Sequence, residues 1–441
     1  MTGEVHEIAT LRAARQISQT QINQTQISQT QLSPTTGDPN LSIKTLGAAR
    51  IDSPLSALLD SRQTTEHYVD ESDRVLLDDT LSMVRARGGA VGELPSFEPA
   101  GPRRKIFFDP SKTRAGIVTC GGLCPGLNED LTPANVRDIN VDGGTVLGTS
   151  RGPQDPEEIV DCLERLGINI LFVIGGDGTM RGAMRIAAVI EERGARIAVV
   201  GVPKTIDNDI PYLDQSFGFQ TAFARASESI HAVTVEAKST SHGIGLVKLM
   251  GRHSGFIACY AALARNDADV VLIPEVPFQL DGEYGLLHYL QRRVRERGYA
   301  VVVVAEGAGQ ELLEHEPATG DASGNAGLRD ICALLRQRIT GHFAASGIEA
   351  CLRFIDPSYA IRSVPANPYD SVYCVRLAQA AVHAAMSGRT EMVVGRWRRR
   401  FVHLPTALTI SKRNQVDPHG DLWMSVLEAT GQPATSSTTV L

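Results

Sequence analysis

From Arg104 onward, short runs of β-branched and aliphatic residues alternate with longer stretches whose apolar positions recur at helical spacing. The runs "AGIVTC", "GTVLGTS", "ILFVIGG", "RIAVVGV", "GIGLVKL", "VVLIPE" and "YAVVVVAEG" predict strands, and 156–166, 180–193 and 283–297 predict helices. Apolar strands alternating with helices imply an α/β fold, a mainly parallel sheet covered by helices on both faces. Ligands of such sheets bind beyond the carboxyl ends of the strands. The polar motifs of this chain fall there.

The first hundred residues follow another pattern. Positions 17–32 repeat every five residues, placing Ile17, Ile22, Ile27 and Leu32 among Gln, Thr, Ser and Asn. A spacing of five suits neither one helical face nor an alternating strand, so a low-complexity, disordered arm is expected. Residues 65–88 read as a surface helix and "PSFEPAGPRR" as a linker.

Length and composition narrow the classes. A chain of 441 residues has room for two or three domains, or for one two-lobed enzyme with a tail. Its net charge of -7 gives no reason to expect nucleic acid as a partner. The basic stretch "GRWRRRF" (395–401) reads as a solvated helix face or a subunit contact. No apolar run approaches the ~20 residues that span a bilayer. The first residues, "MTGEVHEIATLRAARQ", show no signal-peptide core, so a cytoplasmic location without membrane partners is expected. Of seven cysteines only Cys120 and Cys124 are close, with no second pair at metal-site spacing.

Several stretches carry candidate chemistry. In "GIVTCGGLCPGLN" (116–128) a strand enters a glycine turn, where Gly121 and Gly122 allow backbone N–H groups to approach an anion. In "ILFVIGGDGTMRGAMRIA" (170–187) a strand enters Gly175-Gly176-Asp177-Gly178-Thr179 and then a helix. Gly176 and Gly178 clear space for phosphates, and Thr179 can cap the helix and offer its hydroxyl. Asp177 suits Mg²⁺, which takes one or two carboxylates together with phosphate oxygens. Arg151 stands at another strand end, placed to neutralise a phosphate.

"VPKTIDNDI" (202–210) gathers Lys204, Thr205, Asp207, Asn208 and Asp209 after a buried strand. Phosphoryl transfer needs positioning, charge neutralisation and a base for the attacking hydroxyl. Asp207 can take that proton, Asp209 can support the metal or a cation, and Lys204 with Thr205 can face the moving phosphate. Arg252, Glu306 and Arg362 each follow an apolar segment. Singly each has a cap or salt-bridge explanation; together they describe a pocket for a phosphorylated sugar.

"GGLCPGLN", "GGDGTMRGA", "PKTIDNDI", "MGRHSGFIA", "AEGAGQ" and "DPSYAIRS" resemble, in order, the signature stretches of the 6-phosphofructokinase family. The likeness runs from about Lys105 to about Arg400. It is greatest to the long ATP-using group related to pyrophosphate-dependent phosphofructokinase. The resemblance implies two Rossmann-like lobes and phosphorylation of fructose 6-phosphate at O1, a step of glycolysis. It implies that Gly121, Arg151, Gly152, Gly176, Gly178 and Thr179 hold ATP, and that Asp177 holds its Mg²⁺. It implies that Thr205, Ile206 and Asp207 meet the sugar, Asp207 as base. Met250, Gly251, Arg252, Glu306, Tyr359, Ala360, Ile361 and Arg362 would complete the sugar-phosphate pocket. On this reading 1–104 is an extension, 105–240 a nucleotide lobe, and 241–400 a sugar-phosphate lobe whose chain returns to the first. Residues 401–441 are a tail. The family's allosteric enzymes assemble as dimers or tetramers, so a homo-oligomer is implied.

Two positions bear on the donor. Pyrophosphate users typically carry aspartate where this chain has Gly178; glycine leaves room for the α-phosphate of ATP. Lys204 is shared with pyrophosphate users, and the combination of Gly178 with Lys204 is that of the long ATP-using group. One departure stands out. After Asn128 the family continues for several tens of residues that this chain lacks before "LTPANV". The shortened unit can still close, since a parallel crossover needs a dozen or more residues and Thr132-Pro133 starts a helix well.

Overall fold

The computed structural model describes residues 39–55, 68–86, 94–119, 139, 142–145, 154–313 and 327–433. The described residues from Asn40 onward belong to one compact unit built on two sheets. The first sheet has the order β3 (Val75–Leu76), β4 (Ser96–Pro99), β15 (Arg400–Pro405), β14 (Met392–Trp397), β8 (Ala198–Pro203), β7 (Ile170–Gly175), β6 (Ala115–Thr119). Strands β6, β7, β8 and β14 are parallel; β15, β4 and β3 extend the sheet antiparallel. The second sheet is parallel throughout, in the order β10 (Val270–Leu272), β11 (Tyr299–Ala305), β9 (Gly243–Leu249), β12 (Cys351–Ile355). Short antiparallel pairs join β1 (Lys44–Thr45) to β13 (Arg389–Thr390) and β2 (Ile51–Asp52) to β5 (Lys105–Ile106).

Within 65–88, expected as one surface helix, the described residues form β3 and a short helix, α1 (Leu81–Ala86). Val75 and Leu77 alternate inward beside Phe97, and that period of two makes the segment an edge strand. The stretch 144–150, expected as a strand, lies almost wholly outside the described residues.

The other strands form where the apolar runs lie, because helices cover both faces. On the first sheet, α2 (Pro156–Arg165) and α3 (Asp177–Glu192) pack Val160, Leu163, Ala183, Ile186 and Ile190 against Leu171, Val173 and Val199. Asp155 caps α2 by accepting from the Glu157 N–H, with Pro156 at the first helical position.

The second sheet is sandwiched between α4 (Phe219–Lys238) and α5 (Phe256–Arg265) on one face and α6 (Leu286–Arg297) and α7 (Ile331–Ala345) on the other. Val301 to Val304 of β11 are 0% exposed. At ~1.5–3 kcal/mol per buried aliphatic side chain, these four valines contribute roughly 6–12 kcal/mol before conformational entropy is counted. The stripe Ala222, Ala226, Ile230, Val233 and Ala237 seats α4 on this sheet, so the division between the sheets precedes the helix rather than following it at 240.

The chain returns through α8 (Ser358–Arg362) to α9 (Pro368–Met386), which covers the free face of the first sheet with Leu377, Ala381 and Ala384. Of the region expected as a tail, the described residues 401–433 are folded. They hold most of β15, then α10 (Thr406–Thr409) and α11 (Asp421–Thr430), whose Trp423 and Val426 enter the core beside α5. "GRWRRRF" is no helix face but the β14–β15 hairpin. Its turn residues Arg398 and Arg399 have φ of 49° and 65°, and the Asp214 carboxylate accepts from both their N–H groups. Among the described residues no helix is long and apolar enough to cross a membrane.

Candidate active site

The carboxyl ends of both sheets meet in one cluster of charged side chains. β7 runs out at Gly175, Gly176 is the cap residue, and α3 begins at Asp177. Thr179 therefore stands in the first helical turn and is not the cap. A Cβ at Gly175 would lie 2.3 Å from the Thr179 hydroxyl, so that close fit requires glycine. Gly176 brings no capping side chain, which suits a helix start that receives an anion. A Cβ on Gly178 would meet nothing within 4 Å. Asp177 accepts from Arg181 Nε and Nη2 at 3.1 and 3.2 Å, and from Arg413 at 3.3 Å.

The loop after β8 is tied to this turn, the Lys204 N–H donating to the Gly175 carbonyl at 2.8 Å. Asn208, buried with φ 57°, turns the chain in the left-handed region that asparagine tolerates. Its side-chain oxygen accepts from the Ser216 N–H at 2.8 Å, and the Ser216 hydroxyl donates to the Thr205 carbonyl. The Thr205 hydroxyl accepts from the Asp207 N–H at 3.1 Å and donates to Asp209 at 3.0 Å. The polar residues of "KTIDND" thus hold one another in a fixed turn. Ile206 leaves the loop to pack on the core of the second sheet.

The second sheet supplies the facing wall. Ser254 donates to the Asp207 carbonyl at 2.9 Å, and the Arg252 N–H donates to the Asp207 carboxylate. Gly307 N–H reaches the Gly251 carbonyl at 3.1 Å, while Glu306 N–H reaches Leu249 at 2.8 Å. A Cβ on Gly307 would stand 2.0 Å from the Arg252 carbonyl, and Gly251 has φ +132°. The two loops interlock through their backbones.

Burial, with Asp209 and Glu306 as like charges nearby, pushes the Asp207 carboxyl up to about 7. Glu306 is raised by burial, against the opposing pull of Lys248, Arg252 and Arg362. The structure thereby brings Asp207, Arg252, Glu306 and Arg362 into one electrostatic cluster. Met250 is buried behind them. Arg362 lies over the Tyr359 ring, whose side chain is 83% exposed, and Ala360 is exposed. The side chain of Ile361 is buried in the core. Gly121, Arg151 and Gly152 lie outside the described residues.

Sequence reasoning missed several members. Lys248, on β9, pairs with Asp356 at 3.3 Å beside Glu306. Arg413 bridges Asp177 and Asp209, the latter at 3.4 Å. The signal for it was present: "SKRNQVD" follows an apolar segment as the stretches bearing Arg252 and Arg362 do.

A family model described as Phosphofructokinase matches residues 129–385, more than half of the chain. The chain belongs to the phosphofructokinase family. The ATP-dependent 6-phosphofructokinase of Amycolatopsis methanolica is 56% identical over 437 positions, covering 90% of this chain and 95% of that protein. That of Borreliella burgdorferi is 42% identical, covering 89% and 97%. A solved pyrophosphate-dependent phosphofructokinase from Marinobacter aquaeolei shares the fold at TM-score 0.55 and 21% identity, covering 68% of this chain and 76% of that one. Ninety per cent of 441 residues is about 397, so about 40 positions of the first alignment have no residue in this chain. The family match begins one residue after Asn128.

No group of three or more His, Cys, Asp or Glu side chains forms a metal cage among the described residues. The Asp177 carboxylate, partly exposed at a helix start, fits the Mg²⁺ habit of taking few protein ligands and completing its shell with phosphate and water.

Proposed function

We propose that this chain is an ATP-dependent 6-phosphofructokinase, transferring the terminal phosphoryl group of ATP to O1 of fructose 6-phosphate. The observation that carries this reading is Asp207, a carboxyl poised at about 7 where the ends of both sheets converge. A base tuned to that range can accept the hydroxyl proton as the O1–phosphorus bond forms and the bond to ADP breaks. Arg252 and Arg362 supply positive charge for the sugar's phosphate, and Glu306 an acceptor for its hydroxyl groups. Gly176, the first turn of α3 and Lys204 face the donor. Magnesium held at Asp177 would neutralise charge on the donor phosphates.

Gly178 favours ATP over pyrophosphate, because the space above it is open. This reading carries with it a cytoplasmic setting in glycolysis and a homo-oligomeric assembly. The test is a coupled assay of the purified chain with fructose 6-phosphate and Mg²⁺, run with ATP and with pyrophosphate. Fructose 1,6-bisphosphate should appear with ATP and more slowly with pyrophosphate; faster turnover with pyrophosphate would reassign the donor.

The roughly 40 aligned positions without a residue favour one second reading, a relative that binds sugar phosphate but turns over poorly. It predicts fructose 6-phosphate binding in calorimetry with no product from either donor.

A further inference from the structure

We propose that Arg413 is a donor-phosphate ligand of this site, exchanging Asp177 for the terminal phosphate when a metal-bound nucleotide arrives. This rests on the kinase reading above. Arg413 lies between α10 and α11, and its two terminal nitrogens donate to different carboxylates, Nη2 to Asp177 and Nη1 to Asp209. The residues after it are stitched to both sheets. Asn414 N–H donates to the Asp209 carbonyl at 2.7 Å, and its side chain to the Asn208 carbonyl at 3.2 Å. Gln415 donates to the His253 carbonyl at 3.0 Å. Val416 N–H reaches Glu275 at 2.8 Å, and the same carboxylate oxygen accepts from the Gly255 N–H. The backbone beside Arg413 is thus fixed at the junction of the two loops, with the guanidinium aimed into it.

A structural arginine in this molecule looks different. Arg293 holds the buried Asp269 at 2.6 Å and is 17% exposed. Arg413 is 41% exposed, and its contacts of 3.3 and 3.4 Å go to carboxylates that have other partners. Asp177 keeps Arg181, and Asp209 keeps the Thr205 hydroxyl. Arg413 can leave Asp177 without stranding it. A metal held at Asp177 would repel the guanidinium, and the phosphates arriving with it would offer the paired oxygens that a guanidinium fork fits best. Asp209 then holds the side chain toward the site. During transfer the O1–phosphorus bond forms, the bond to ADP breaks and the proton passes to Asp207. Arg413 keeps its own protons and donates to the non-bridging oxygens, where the charge is spread.

The test compares wild type, Arg413→Ala and Arg413→Lys in the full chain, with two binding readouts and turnover. Mn²⁺ alone, followed by electron paramagnetic resonance, should bind Arg413→Ala several-fold tighter, because a competing cation is gone. Mn²⁺ with a non-hydrolysable ATP analogue should bind the same variant at least ~10-fold weaker. The kcat should fall roughly 10²–10³-fold with the KM for fructose 6-phosphate within about threefold, and guanidinium ion should restore part of it. Arg413→Lys should lie between. A metal affinity that does not rise, nucleotide affinity unchanged, or kcat within about threefold of wild type would each overturn the proposal. A wild type that makes no product defeats the kinase reading, yet the opposite signs of the two binding shifts still decide the role of Arg413.

Discussion

The two ends of the site are built by opposite means. At the proposed donor end, β7 stops at a helix start with no capping side chain, Gly178 faces open space, and the Asp177 carboxylate is shared between two arginines. At the acceptor end, Gly251 and Gly307 lock two loops together backbone to backbone, and Asp207 is raised by burial between them. On the proposed function, the donor end would bind charge and select by size. On the same proposal, the acceptor end would hold the proton-accepting group in a place too tight to rearrange. A change at the first should therefore alter which donor is used, and a change at the second whether chemistry or folding survives.

The largest effect is expected at the acceptor end. Asp207→Ala should lower kcat roughly 10²–10⁴-fold with little loss of ATP binding, as removal of a positioned base does; steady-state kinetics and calorimetry check both halves. Gly307→Ala comes next. Its new methyl would lie 2.0 Å from a backbone carbonyl, so the loops must part. We expect a loss of about 2–4 kcal/mol in chemical denaturation, together with loss of fructose 6-phosphate binding. Gly178→Asp at the donor end should depress ATP use about tenfold or more without changing the KM for fructose 6-phosphate. Unchanged turnover with ATP would remove the steric argument. The smallest effect belongs to Gly178→Ala, which adds a methyl to open space in a helical turn. Its stability should stay within ~1 kcal/mol of wild type, on the favourable side.

Much of this comparison was legible before any coordinates. The strands β6 to β11 announce themselves as apolar, β-branched runs, because a strand covered on both faces has little polar to interrupt it. "GGDGT" and "KTIDND" stood out because polar residues clustered at the ends of such strands. What stayed hidden depends on contacts distant in sequence. The β14–β15 turn carries two arginines where glycine or asparagine would advertise a hairpin, and its partner, Asp214, is 184 residues away from Arg398. Arg413 reaches Asp177 across 236 residues. Ile361 sat inside a functional motif yet points into the core, since a short helix must bury one side whatever its neighbours do.

Raising the Asp207 carboxyl has a sign. The folded chain holds that proton between the ordinary carboxylate range and about 7, so the group costs stability as pH rises through this window and no further above it. Asp207→Asn should therefore be more stable than wild type at about pH 8, and the difference should vanish toward about pH 4.

The same ionisation should govern the rate, and the pH dependence of kcat/KM for fructose 6-phosphate reads it directly. A rise through one ionisation near about 7 is expected, lost from the residual activity of Asp207→Asn. A wild-type profile flat from about pH 5 to about pH 8, or the same rise in the variant, would contradict it.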